Sequence, residues 1–364
     1  MTAADHSPND AVQSVREAYE STLSWRLTRP LRSLGTAIRP KTDREPWHDT
    51  GIPVSYQPAD YDPWLVHFYA DELDRIETGL AGAGASDRGS YRLFREIDDD
   101  LWAVLLTREY SRYPNIRVLL PDVPEPELQM MWNGAIGLEL LNQSKDFYAK
   151  VKRMQAEHSA VALEDARVLD FGCGWGRLTR FFAKDVAPGA LIGVDPVERI
   201  LDVCRENRVP AELLECDFVP DTLPLEQPVD LAFSFSVFTH ISERSHRACL
   251  EAVHASLNPN GLFMVTVRPP SYLDFDHLMA PVRAGLGPDI IAETSNSRYF
   301  FEPHPAEPGH PQYEGGDMTY GDTVVTLPYI REHWTDLFDI ADISLLTGDM
   351  YQVAIVLKRR EPAG

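Results

Sequence analysis

The sequence predicts an α/β chain: a mostly parallel sheet with helices on both faces, preceded by a mostly helical extension. Three observations carry this. From Ala166 onward, short apolar runs alternate with helical patterns. The first of those runs ends in glycines at every second position. Ahead of residue 145 the apolar side chains fall at helical spacing, broken by Pro-rich stretches. Strands alternating with helices imply parallel pairing and crossover helices.

In chain order, Val12, Val15, Tyr19, Leu23, Leu27, Leu31, Leu34 and Ile38 lie at helical spacing, with Pro30 expected to kink or break the helix. Residues 40–65 read as an extended linker rich in Pro, Asp and Tyr. Residues 64–80 and 98–110 read as short helices split by the loop Ala81–Ser90. The stretch 121–126 is a Pro-rich break, and Leu128–Arg153 reads as mostly helical. Strands follow at Ala166–Phe171, Leu191–Val194, Ala211–Glu215, Asp230–Phe235 and Gly261–Val267, and then at Ile340–Leu345 and Gln352–Leu357. Helices are expected at Arg177–Lys184, Arg199–Asn207, Arg244–Leu257 and Tyr329–Leu337. The organisation expected is a basic amphipathic segment (1–45), a helical accessory region (46–144) and an α/β domain (145–364).

Composition narrows the function. With 364 residues the chain exceeds one small core, and 44% hydrophobic with 25% charged residues is ordinary for a globular protein. No apolar run reaches the roughly 18 residues that span a bilayer. The polar, acidic start does not read as a secretory signal. A net charge of −22 argues against nucleic acid as a partner, because a phosphate backbone calls for a basic field. Four cysteines, Cys173, Cys204, Cys216 and Cys249, form no C-x-x-C pair and fit a reduced, cytoplasmic setting. Between Ser24 and Arg44 six basic residues stand against one acidic residue, with Trp25 among them. Such a stretch either lies on a membrane surface or packs on its own domain or a partner protein.

The strongest local signal is Val168-Leu169-Asp170-Phe171-Gly172-Cys173-Gly174-Trp175-Gly176. Glycines after a buried strand let the backbone turn sharply and let a ligand lie against it. The spacing is G-x-G-x-G, not the G-x-G-x-x-G of dinucleotide sites. Asp170, two positions before the first glycine, disfavours a pyrophosphate and can accept from an ammonium group. Asp195, 19 positions after Gly176, closes the second strand, where a carboxylate can accept from two ribose hydroxyls. Asp217 and Phe218 follow the third strand, suited to an exocyclic amine and an adenine face.

This constellation resembles the class I S-adenosylmethionine-dependent methyltransferases, over about residues 145–364. The resemblance implies a Rossmann-like sheet of order 3-2-1-4-5-7-6 with the last strand antiparallel, and S-adenosyl-L-methionine as cofactor. It places Asp170, Gly172, Gly174 and Gly176 at the methionine end, Asp195 on the ribose, and Asp217 with Phe218 on the adenine. Ser234 to Ser236 fall where the family sets backbone against cofactor and acceptor. A second resemblance is to methyltransferases and glycosyltransferases of bacterial surface polysaccharide assembly. It rests on Ser24-Trp25-Arg26-Leu27-Thr28-Arg29-Pro30-Leu31-Arg32, on Tyr320-Gly321-Asp322-Thr323 and on Gly348 to Val353. It implies a glycan or glycolipid hydroxyl as acceptor, and contact with a membrane or a glycosyltransferase through residues 10–44. A small-molecule or amine acceptor, and a cofactor-binding scaffold without turnover, are the other readings.

A sugar hydroxyl is a poor nucleophile while protonated, so a base is expected to help. His240, after the fourth strand, is the first candidate and also reads as a packing residue of that loop. His277 is the second. It falls in Arg268–Pro328, about sixty residues and too long for a simple connection, hence a lid or wall over the acceptor. The aromatic rings of that insertion, among them Tyr272, Tyr299, Phe300 and Tyr320, suit sugar faces or a small core. His304, His310, Asp317 and Asp322 match no metal spacing, and no metal is expected.

Overall fold

The computed structural model describes residues 68–360, apart from 83, 85, 86, 108–112, 275, 276, 305–312, 315 and 316. The basic segment 1–45, residues 10–44 within it, and His310 lie outside the described residues. The helical extension consists of α1 (Ala70–Gly79), α2 (Asp99–Thr107), α3 (Pro114–Leu119), α4 (Pro126–Asn133) and α5 (Gly137–His158). The helix expected over Leu128–Arg153 is two helices. Gly134 caps α4 in the left-handed region at φ 70°, and Gly137 opens α5 at φ 63°. These glycines reverse the chain where a Cβ-bearing residue would be strained.

The α/β part runs β1 (Val168–Phe171), β2 (Leu191–Asp195), α6 (Glu198–Glu206), β3 (Glu212–Glu215), β4 (Val229–Ser234), α7 (Glu243–Ser256) and β5 (Leu257–Val267). The short helices α8 (Ala280–Ala284) and α9 (Ile290–Thr294), β6 (Tyr299–Pro303), β7 (Gly321–Val325), α10 (Leu327–His333), β8 (Phe338–Leu345) and β9 (Val353–Arg359) complete it. The sheet order is β8-β9-β5-β4-β1-β2-β3. Strands β3, β2, β1, β4 and β5 are parallel, and β9 lies antiparallel to both β5 and β8. This is the expected Rossmann-like order with its last strand reversed. Between β1 and β2 the expected helix is a 3-10 turn, Thr179–Lys184, fully buried. Inside the insertion, β6 and β7 form an antiparallel pair that the sequence reading did not separate from loop. Alternation there is short and interrupted by Gly and Pro, so the period-2 signal is lost.

The extension is not a detached unit. Helix α5 crosses the expected boundary at 144/145 and buries Phe147 against Phe233 and Phe235, with ring centroids 6.1 and 4.8 Å apart. Tyr148 meets Phe182 at 5.1 Å. The Trp102 indole of α2 donates to the Phe181 carbonyl at 2.8 Å, and buried Lys184 reaches Asp99 at 2.7 Å. One apolar core therefore runs from α1 through the sheet face. The other face is covered by α7, α10 and the strand residues Leu169, Ile192, Val265 and Ile355. Burying side chains of this size stabilises by roughly 1.5–3 kcal/mol each. Among the described residues no helix is long and apolar enough to cross a membrane.

Candidate active site

In a doubly wound sheet the ligand crevice lies outside the carboxyl ends of the strands, where the order reverses. Here that is the gap between β1 and β4. The glycine loop leaves β1 there. Gly172 and Cys173 donate to the Val194 carbonyl at 2.8 and 3.0 Å, tying the loop to β2. Gly172, Gly174 and Gly176 all have positive φ, at 75°, 54° and 75°. Space is as restrictive as the angles. A Cβ on Gly172 would stand 2.3 Å from Val237 Cγ2, and one on Gly174 2.6 Å from Trp132 Nε1. The loop is a cradle that only backbone can line.

Asp195 ends β2, as expected, and its carboxylate fastens the cradle. Gly174 N–H donates to Oδ2 at 2.9 Å and Val197 N–H to Oδ1 at 3.0 Å. Each oxygen retains acceptor capacity for a hydroxyl. Burial pushes this carboxyl up to about 6 against those two donors. Asp170 is buried beneath the loop and accepts from Thr179 Oγ1 at 2.6 Å. Burial pushes it up to about 7 against that bond. Asp217 is exposed and Phe218 half-buried just past β3. Ser234 is buried at the end of β4, its hydroxyl without a partner among the described residues.

A polar network that sequence reasoning missed links the extension to this crevice. Arg177 donates to Gln143 Oε1 at 2.6 Å and to Ser144 at 3.2 Å. Gln143 and Gln352 each donate to Asp349 Oδ2, at 2.8 and 2.9 Å, and Gln352 also reaches Ser236 Oγ at 3.2 Å. Ser236 has φ 63°, a strained angle for a residue with a side chain, and it sits where β4 exits. Strain of this kind persists only where the surroundings over-determine it.

Beyond Ser236 the insertion is stitched to the β4 exit. Gly321 N–H donates to the His240 carbonyl at 2.8 Å and Thr323 N–H to the Thr239 carbonyl at 2.9 Å. This brings Arg268, His240, Asp322 and His304 together. Arg268 donates to Asp322 Oδ1 at 2.5 Å, to the Thr239 carbonyl at 2.9 Å and to His240 Nε2 at 3.0 Å. Arginine can only donate, so His240 Nε2 is an acceptor and its proton is on Nδ1, which donates to the Gly321 carbonyl at 3.0 Å. Burial and the adjacent guanidinium push the His240 imidazolium down to about 3. Both ring nitrogens are engaged, so in this arrangement His240 has no lone pair for an acceptor's proton. His304 Nε2 lies 3.3 Å from the other oxygen of Asp322. Burial opposes ionisation of Asp322, but the His304 hydrogen bond and the Arg268 guanidinium outweigh it and hold the carboxyl below its usual range. Tyr320 stacks on His240 with centroids 5.5 Å apart and meets His304 edge-on at 4.9 Å. Tyr272 lies under the Arg268 guanidinium at 4.2 Å and beside Tyr351 at 6.1 Å. For His277 the structure describes the backbone, at the start of the turn His277–Met279. A charged residue directly after a buried strand, Arg268 after Val267, was the available sequence signal for this cluster.

Residues 168–261 match the family described as "Methyltransferase domain". This segment is similar to methyltransferase domains. The cradle has a carboxylate at the β2 end, and that chemistry fits the nucleoside and aminoacyl groups of the cofactor expected from sequence. Trans-aconitate 2-methyltransferase of Variovorax paradoxus is 28% identical over 102 residues, 28% of this chain and 38% of that protein. An uncharacterized methyltransferase of Oceanobacillus iheyensis is 26% identical over 96 residues, 26% of this chain and 44% of that protein. The chain thus spans less than half the length of the curated relatives it matches. Among solved structures, an S-adenosylmethionine-dependent methyltransferase of Clostridium acetobutylicum aligns with a TM-score of 0.42 and 13% identity, over 65% of this chain and 97% of that one. Magnesium protoporphyrin IX methyltransferase of Synechocystis aligns with a TM-score of 0.41 and 14% identity, over 64% and 92%.

Proposed function

We propose that the chain transfers a methyl group from S-adenosylmethionine to a sugar hydroxyl of a glycan or glycolipid. The observation that carries methyl transfer is the cradle of Gly172, Gly174 and Gly176 fastened by Asp195. When bound, the cofactor supplies a methyl carbon already activated by its sulfonium. The chain's own task is then alignment, which contributes roughly 7–11 kcal/mol in well-oriented reactions. Asp195 holds the ribose, Asp217 and Phe218 take the adenine, and Asp170 sets the charge under the methionine end.

The acceptor lies between the β4 exit and the insertion, against Tyr272, Tyr320 and Tyr351, whose flat faces suit a sugar ring. A base is worth about 10²–10⁴-fold for such an acceptor. His304 serves here. A carboxylate can only accept, so Asp322 fixes the proton on His304 Nε2 and leaves the lone pair on Nδ1. His240 then positions rather than abstracts: it carries Arg268, which in turn carries Asp322.

A small-molecule acceptor is the second reading, favoured by the similarity to trans-aconitate 2-methyltransferase. Incubation with tritiated-methyl cofactor and two acceptor sets, p-nitrophenyl glycosides and small polycarboxylates, separates them. Label on the glycosides supports the first reading, label on trans-aconitate alone replaces it with the second, and no binding of S-adenosylhomocysteine by calorimetry rejects both.

A further inference from the structure

Trp132 is the single tryptophan of α4, and its indole lies across Gly174. The atoms nearest a Cβ built on that glycine are Trp132 Nε1 at 2.6 Å, Cδ1 at 3.1 Å and Cε2 at 3.5 Å. It is therefore the N–H edge of the ring that faces the middle of the cradle. The helix carrying it is firmly seated. Leu128, Met131, Ala135 and Leu140 pack with Trp175, Ile200 and Val203, and Asn133 Oδ1 accepts from the Trp175 indole at 2.7 Å. The two neighbouring indoles differ in one respect. Trp175 has its N–H satisfied, whereas Trp132, half-buried, has no hydrogen-bond partner among the described residues. An indole N–H can only donate, and this one, set over Gly174, offers its donor to an acceptor bound in the cradle.

Resting on the reading of the cradle as the S-adenosylmethionine site, we propose that Trp132 Nε1–H donates to the carboxylate of the cofactor's aminoacyl end. The local charges favour this. Asp170, Asp195 and Asp349 make this side of the crevice acidic, so an incoming carboxylate needs a donor of its own. Arg177, the nearest buried cation to the loop in sequence, already donates to Gln143 and Ser144 on α5. Trp132 is then a positioning residue for the cofactor, contributed by the helical extension rather than by the methyltransferase domain.

The test uses calorimetry on the full chain, with S-adenosylhomocysteine and with 5′-methylthioadenosine, which lacks the aminoacyl group. Trp132→Phe keeps a ring and removes the donor. It is expected to weaken S-adenosylhomocysteine binding about 10- to 100-fold, as for a hydrogen bond to a charged group, and to leave 5′-methylthioadenosine unchanged. Retained 5′-methylthioadenosine binding also shows that the variant is folded. Equal loss for both nucleosides, or loss for neither, overturns the assignment. So does tighter binding by Trp132→Ala, which would mean that the indole obstructs the site. If the unaltered chain binds neither nucleoside, the cofactor reading itself fails and this assignment with it.

Discussion

The guanidinium of Arg268 donates to Nε2 of His240 at 3.0 Å and to Asp322 at 2.5 Å. One buried cation thereby sets a histidine tautomer and neutralises a carboxylate. Arg268 and Asp322 side chains are 10% and 3% exposed, so neither can turn to water if the other is lost. Arg268→Met is expected to destabilise the fold by about 3–5 kcal/mol in urea denaturation, the usual cost of leaving one buried charge unpaired. Adding Asp322→Asn should recover part of that loss. A single Arg268→Met variant as stable as the parent would show that the pair carries no such burden.

His304 is expected to matter only where the acceptor must lose a proton. His304→Gln should lower methyl transfer to a hydroxyl about 10²–10⁴-fold while leaving S-adenosylhomocysteine affinity unchanged. Transfer to an amine presented as free base should fall far less. Equal losses for both acceptors would assign His304 to binding rather than to proton removal.

Cofactor affinity should rise with pH between about 5.5 and 7.5. Burial holds Asp195 up to about 6 and Asp170 up to about 7, so both ionise within that window. Ribose hydroxyls donating to Asp195 and the cofactor's cationic end beside Asp170 favour the ionised carboxylates, so binding releases protons and strengthens as pH increases. Calorimetry across the range measures it, and Asp195→Asn should flatten the slope. An affinity that falls with rising pH contradicts the placement of Asp195 on the ribose hydroxyls and of Asp170 at the cationic methionine end.

Acid stability turns on His246. Its Nδ1 pairs with the Tyr299 hydroxyl at 3.0 Å, its Nε2 has no partner among the described residues, and burial pushes it down to about 3. The unfolded chain takes up that proton near the ordinary histidine value of about 6.5. Between those two values the unfolded state binds more protons, so stability is lost as pH falls, at up to about 1.4 kcal/mol per unit for one group. His246→Leu should reduce the slope of unfolding free energy against pH in that window. An unchanged slope would mean that other groups carry the acid sensitivity.

Gly172 tests the cradle itself. Alanine there must adopt φ near 75° and meet Val237 Cγ2 at 2.3 Å. The left-handed backbone costs about 1–2 kcal/mol and the overpacking about 1–3 kcal/mol more. Gly172→Ala combined with Val237→Ala should relieve the clash and not the backbone strain, leaving a partial deficit in thermal denaturation.

What sequence determined was the periodic and the local. Alternating apolar runs specify a parallel sheet, because a strand buried on both faces has no room for polar side chains, and the order β8-β9-β5-β4-β1-β2-β3 followed from the resemblance carried by Gly172, Gly174 and Gly176. The position of Asp195 at a strand end was legible for the same reason. Tertiary structure decided everything that depends on distant segments meeting. Trp132 reaches Gly174 across 42 positions (174 − 132), and Arg268 finds Asp322 across 54. No local period records such pairings, since they arise from packing α4 and the insertion onto the sheet. The same packing decided between the two readings of His240, base or packing residue, by engaging both of its nitrogens. Residue type and spacing announce which chemistry a side chain is capable of. Which of its lone pairs remain available is settled by the neighbours that folding brings to it.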